Sequence, residues 1–192
     1  MDTQTKTTIL PTLITERLTL RELRPEDAAD VLIFRGDPYV QRFNSEPLKT
    51  VKEAAAFIEE LNAGNRGGRW LEWAITLRDQ DRALGLVGLG SWDKHHRRAE
   101  VGYDLAHAFW GRGIGTAAVR AVVNYGFTAL NLNRIEAATI ADNHESVNLL
   151  KKLGFRLEGT RRSYSWEEDG TFHDSAMFAL LREEFMMEPL GV

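Results

Sequence analysis

The chain has 192 residues, a formal net charge of −4 and no cysteine. That length suits one domain, and the charge leaves no footprint of nucleic-acid binding. The missing cysteines exclude disulfides, thiolate metal sites and a cysteine nucleophile, and fit a reducing compartment. Composition is that of a soluble globular protein, with 43% hydrophobic and 27% charged residues. No apolar run approaches the ~20 residues of a membrane span, and MDTQTKTTILPTLI lacks the basic start and long apolar core of a secretory signal. A cytoplasmic protein with no membrane partner is expected.

Residues 1–14 read as an N-terminal extension. In TERLTLREL, Leu18, Leu20 and Leu23 bring in strand alternation. Pro25, Glu26 and Asp27 then open a short helix, acidic residues favouring its N-terminal end. VKEAAAFIEELNAG carries Val51, Ala54, Ala55, Ile58 and Leu61 at helical spacing and is expected to stop at Gly64. From Trp70 the period drops to two. WLEWAITLR, a turn at Asp79 to Asp81, and ALGLVGLGSW predict an antiparallel hairpin. RAEVGYDL follows the basic, solvated loop DKHHRR as a third strand. TAAVRAVVNYGFTAL predicts a helix, RIEAATIA a strand, HESVNLLKKL a helix and GFRLEGTRRSYSW a strand. Glu168, Asp169 and Gly170 predict a turn, and HDSAMFALL completes a hairpin. With no repeat or linker, residues 15–185 read as one α+β domain with a mixed sheet, and residues 186–192 as a tail. Core packing is the expected role of Trp70, Trp73 and Trp92, although Trp70 and Phe43 are also placed to wall a substrate cleft.

FWGRGIGTAA stands apart. Gly111, Gly113 and Gly115 alternate between the strand Ala99 to Leu105 and the helix that follows. A helix N-terminus presents unpaired N–H groups and partial positive charge, and glycines let an anion approach that backbone. A Walker A loop needs a closing Gly-Lys-Ser/Thr, which is missing, and the dinucleotide fingerprint needs another glycine spacing. A plain turn and an anion cradle both remain open on this segment alone.

The segment resembles the acetyl-CoA pyrophosphate loop of the GNAT acetyltransferases, Gln/Arg-x-x-Gly-x-Gly/Ala, laid on Trp110, Gly111, Arg112, Gly113, Ile114 and Gly115. Trp110 departs from the first position, and W-G-x-G is familiar in the branch resembling the RimJ/RimL ribosomal-protein N-terminal acetyltransferases. EVGYDL (100–105) resembles that branch's preceding strand, and DNHESVNLLKKLGF (142–155) resembles its second cofactor motif, N-x-x-S-x-x-[LV]-x-x-K-L-G-F. TERLTLRELRPEDA resembles its opening, and EGTRRSYSWEEDGTFHD its tail. The resemblance spans roughly Thr15 to Phe185. It implies a single GNAT-like α+β domain: a mixed, mostly antiparallel sheet of about seven strands, helices on both faces, and splayed central strands holding acetyl-CoA. It further implies acetyl transfer from acetyl-CoA to a primary amine, above all a protein or peptide N-terminal α-amine. The alternatives are a small amine (polyamine, amino acid derivative or aminoglycoside) as acceptor, or a non-catalytic acyl-CoA-binding protein. A monomer or homodimer fits either.

The roles follow residue by residue. The resemblance puts Arg112, Gly113, Ile114, Gly115 and Thr116 around the pyrophosphate. It puts Leu105, Ala106 and His107 along the pantetheine, where backbone N–H groups would also polarise the thioester. Asn143 and Ser146 stand at a helix start, which fits capping; the resemblance has them touch the cofactor. Alternation sets Glu100, Gly102 and Asp104 on one strand face and Val101, Tyr103 and Leu105 on the other, and Glu100 is the expected general base. Glu72 and Glu136 are weaker candidates for that role. Leu150 occupies the position where many relatives carry an acidic Tyr, which leaves Ser146 as the expected proton donor to the thiolate. Branch members also carry a carboxylate on the strand after E-G, where this chain has Ser165, with Glu167 and Glu168 just beyond. His95, His96, His107, His144 and His173 form no ligand pattern, so no metal is expected. Acceptor choice is expected to reside in Phe34 to Leu48 and in the hairpin Tyr164 to His173.

Overall fold

In the computed structural model, residues 10–167 and 170–187 are described; Glu168 and Asp169 of the expected turn lie outside them. Strands β1 (Leu13–Ile14), β2 (Leu18–Arg21), β3 (Leu71–Leu77), β4 (Gln80–Asp93), β5 (Arg98–Leu105), β6 (Arg134–Ile140), β7 (Arg156–Trp166) and β8 (Phe172–Leu181) form one sheet, ordered β1-β2-β3-β4-β5-β6-β8-β7. This is the α+β architecture expected; the strand beyond the expected seven or so is the two-residue β1. Every neighbouring pair is antiparallel except β5 and β6.

Helices α1 (Ala28–Arg35), α2 (Pro38–Gln41), α3 (Val51–Gly67), α4 (Ile114–Thr128), α5 (His144–Lys152) and α6 (Arg182–Met187) complete the fold. No helix among the described residues is long and apolar enough to cross a membrane. Alternation along the strands separates two apolar cores. Leu71, Trp73 and Ile75 of β3 face α4 with Val119 and Val122, whereas Ala74 faces α1 and α3 with Phe34 and Ile58. Side chains of even number on β3 therefore belong to the α1/α3 side.

α3 outruns its expected end. Gly64 lies inside the helix, which closes on left-handed Gly68 at φ 64°. The reason is packing: a Cβ on Gly64 would stand 2.0 Å from the Trp70 ring, whose indole N–H donates to the Leu61 carbonyl at 3.1 Å. A glycine that reads as a stop signal is instead the seat of an aromatic ring.

Arg21 ties the start of the chain to the sheet. Its guanidinium, 5% exposed, donates to both oxygens of buried Asp27 at 2.7 and 2.9 Å, and its Nε donates to Asp81 at 2.7 Å. Asp27 in turn accepts from the Arg24 backbone N–H at 2.7 Å, which fixes the entry to α1. Removing Asp27 leaves the buried guanidinium with Asp81 as its remaining carboxylate. Asp27→Ala is expected to lower the unfolding free energy by about 2–3 kcal/mol, read from urea denaturation.

Candidate active site

The central cleft exists because β5 and β6 separate. Their parallel register holds at Arg98↔Arg134, Ala99↔Ile135 and Glu100↔Glu136 and goes no further. Beyond Glu100, β5 stays paired with β4 as far as Leu105, and β6 stays paired with β8 as far as Ile140. The opening is a cleft of about 450 Å³, lined on one wall by Val101 to Leu105 and on the other by Ala137 to Thr139. Ala106 N–H donates to the Leu84 carbonyl on β4, at 2.8 Å. Alternation therefore turns the backbone polar groups of Val101 and Tyr103 towards the gap, where β6 no longer meets them. An extended, amide-bearing molecule fits such an edge.

One end of the cleft is the glycine loop. Gly111 and Gly113 have φ of +70° and +75°, and Gly113 is the N-cap of α4. The first intrahelical bond there runs from Ala117 N–H to Gly113 O, so the N–H groups of Ile114, Gly115 and Thr116 are left for a ligand. Gly111, Gly113, Ile114, Gly115 and Thr116 all line the cleft. Free N–H groups at a glycine-opened helix start are the geometry that receives an anion. Arg17, from the segment before β2, reaches the loop and donates to the Arg112 carbonyl at 3.2 Å, and Lys152 lines the cleft from α5. Neither cation was singled out in the sequence, because nothing local marks them. Arg112 itself is exposed and outside the lining, its guanidinium 5.7 Å from the Phe109 ring.

Trp110, the departure from the loop pattern, is a joint. Its indole N–H donates to the Leu105 carbonyl at 2.7 Å, and its ring packs beside Tyr39 and His107. The loop is thus fastened to the end of β5 and to α2. Leu105 lines the cleft, but Ala106 is buried with the α1/α3 core and His107 stacks 4.9 Å from Tyr39, outside the lining. With its N–H committed to Leu84, Ala106 is not available to polarise a carbonyl.

Across from β5, Asn143 caps α5, its side-chain oxygen accepting from Ser146 N–H at 3.2 Å. Asn143 and Ser146 both line the cleft, so capping and ligand contact coexist. The Ser146 hydroxyl meets the Tyr103 hydroxyl at 2.8 Å. Burial pushes the Tyr103 phenol up to about 12, with the Ser146 bond opposing, so it keeps its proton at neutral pH. Leu150, which replaces the usual Tyr, is buried in the same wall. A phenol therefore stands in the cleft after all, supplied by β5 instead of α5. The signal was in EVGYDL, whose alternation puts Tyr103 opposite Glu100.

Carboxylates gather on the α1/α3 side. Glu100 is half-buried at the vertex where β5 leaves β6 and is not part of the lining; Glu136 is its register partner, paired with Arg134 at 2.7 Å. Asp104 lines the cleft and accepts from Arg35 at 2.6 Å and from the Asn44 side chain. Phe43 lines the mouth with Arg42; Trp70, Ser165, Glu167 and the described part of the Tyr164–His173 hairpin do not. Glu72 is displaced upward. Burial, reinforced by Asp104 and opposed by Arg35, pushes its carboxyl from 4.5 up to about 8. The folded state then favours the protonated form that the unfolded chain loses above pH 4.5. Stability is expected to be fullest below that pH and to fall until pH reaches about 8. Glu72→Gln should flatten this slope in denaturation series run across the interval.

The comparisons agree with this geometry. Residues 17–156 match the acetyltransferase (GNAT) domain family. An uncharacterized N-acetyltransferase, p20, of Bacillus licheniformis is 38% identical over 177 residues, covering 92% of this chain and 99% of its own. The spermidine N(1)-acetyltransferase of Escherichia coli (strain K12) is 28% identical over 104 residues, 54% of this chain and 55% of its own. Among solved structures, Mycobacterium smegmatis RimJ in complex with CoA-disulfide superposes with a TM-score of 0.81 at 29% identity, covering 91% of this chain and 89% of that one. A strand pair that splays beside a glycine-capped helix, together with these matches, places the chain in the GNAT acetyltransferase family.

Proposed function

We propose that this N-acetyltransferase moves the acetyl group of acetyl-CoA to the N-terminal α-amine of a protein or peptide. The observation that carries the donor assignment is the cleft between β5 and β6, closed at one end by the free N–H groups of α4. The pyrophosphate is received by Gly113, Ile114, Gly115 and Thr116, with Arg17, Arg112 and Lys152 as the nearby positive charges. The pantetheine lies along Val101 to Leu105, its amides meeting the backbone that β6 abandons. The acetyl group then sits between α5 and the carboxylate-bearing face of β5.

Transfer needs a neutral amine, a polarised carbonyl and a proton for the thiolate. Ser146 supplies that proton and takes one from Tyr103, the two hydroxyls acting as a relay from the nitrogen of the tetrahedral adduct to sulfur. The amine enters from the opposite face, which carries Glu100, Asp104 and Glu72. A peptide terminus is supported by the likeness to RimJ, at 29% identity and a TM-score of 0.81. The Phe43 and Asn44 segment borders the entry and is the expected determinant of acceptor choice.

Gly113→Asp puts a carboxylate into the cradle and is expected to abolish acetyl-CoA binding in calorimetry; unchanged affinity would refute the cradle. Ser146→Ala is expected to lower kcat about 100-fold with little change in acetyl-CoA affinity, and Tyr103→Phe to lower it less. Acceptor class is decided by CoA release from acetyl-CoA with N-terminal peptides and with a panel of polyamines and aminoglycosides. Faster turnover of any small amine than of every peptide would sink the N-terminal reading.

A further inference from the structure

Glu72 is a carboxylate without a partner. It makes no hydrogen bond or ion pair among the described residues, although its backbone is clamped at both ends. Asn65 on α3, 1% exposed, donates to the Glu72 carbonyl at 3.0 Å and accepts from its N–H at 2.8 Å. A residue held this firmly, with nothing to hold its charge, has no structural role for that charge.

Its direction gives it one. Glu72 on β3 is the register partner of Gly88 on β4, and Gly88 is the partner of Gly102 on β5. The Glu72 Oε2 lies 2.3 Å from where a Cβ on Gly88 would be, so the carboxylate has left its own strand and lies over β4. Gly102 is one strand further, about 4.8 Å on, and a Cβ there would meet nothing within 4 Å. Gly102 also lines the cleft. The Glu72 carboxylate therefore covers Gly88, and the one bare glycine beside it, Gly102, opens to the cleft.

We propose that Glu72, not Glu100, receives the proton of the acceptor ammonium, with the amine bound over Gly102 beside the carboxylate that covers Gly88. The inference rests on the acetyltransferase reading above and names the group that completes it. The ammonium N–H bond breaks, its proton goes to Glu72, and the freed lone pair attacks the thioester carbonyl carbon. The C–N bond forms, the C–S bond breaks, and one further proton passes from nitrogen through the Tyr103 and Ser146 hydroxyls to sulfur. Glu72 then releases its proton to solvent, so one amide, one thiol and one proton result. Asp104 on β5 is already engaged by Arg35 and Asn44, which leaves it to raise the basicity of Glu72 instead of taking the proton itself. The charged groups facing Glu72 are Asp104 from β5 and Arg35 from α1, and α3 contributes neutral Asn65. A carboxyl held up to about 8 is matched to an amine, since proton transfer is most effective near the working pH.

The test compares pH–rate profiles for CoA release, using spermidine and an alanine-starting hexapeptide as acceptor probes. Glu72→Gln is expected to lower kcat/KM about 100-fold and to remove the limb near pH 8, while calorimetry shows acetyl-CoA affinity unchanged. Glu72→Asp should keep the limb at reduced rate. Glu100→Gln, whatever its effect on rate, should leave the limb in place, and Gly102→Val should fill the open space beside Glu72 and lower kcat/KM. A Glu72→Gln rate within about threefold of wild type, or a limb that follows Glu100, would overturn the assignment. A second readout needs no turnover: in the acetyl-CoA complex, the carboxyl 13C resonance absent from Glu72→Gln should titrate near pH 8, and methylammonium should lower its midpoint. A midpoint indifferent to methylammonium overturns the proposal for Glu72 alone. Failure of the wild type to bind acetyl-CoA overturns the acetyltransferase reading instead.

Discussion

The rest of the site depends on the loss of β5–β6 pairing after Glu100. Two adjacent strands that part company expose backbone N–H and C=O groups, which is costly unless something else meets them. The sheet tolerates this because each strand keeps its outer neighbour. β5 is held by β4 through Leu105, and β6 by β8 through Ile140. The V is therefore rigid on both arms, and the unmet groups face inward to a space the size of an extended ligand. Nothing has to unfold for a pantetheine-like chain to enter.

The same V gives the chemistry a direction. Alternation along β5 sends Tyr103 to the α4/α5 side and Asp104 to the α1/α3 side, so hydroxyls and carboxylates come to lie on opposite faces of one strand. In the proposed reaction, one proton leaves nitrogen on the carboxylate face and another reaches sulfur on the hydroxyl face. Trp110 fixes how the two ends relate, because its N–H bond to Leu105 couples the cradle to the strand that carries both sets.

Several features were legible because their signals are local. Strand alternation in EVGYDL, the glycine cluster ahead of a helical run, and the Asn143 cap each involve neighbours in sequence. Others misled for the same reason. Gly64 reads as a helix end until Trp70 is seen to occupy the space its side chain would need. Ala106 reads as an amide donor until its N–H is found committed to Leu84 on the next strand. Tyr103 reads only as a strand residue, yet it brings a phenol from β5 to Ser146, 43 residues on in the chain.

By itself the sequence determined most of the elements, the two faces of each strand and the glycine-opened start of α4, since these follow from periodicities of two and 3.6 residues and from glycine at a helix start. Only the tertiary structure decided where the sheet opens, which hydroxyls meet and which carboxylate lies beside a bare glycine. Those depend on register between strands that are distant in the chain. Glu72, Gly88 and Gly102 form a row only because β3, β4 and β5 pair as they do. A shift of one residue between β3 and β4 would send the carboxylate to the other face, and one between β4 and β5 would take Gly102 out of the row.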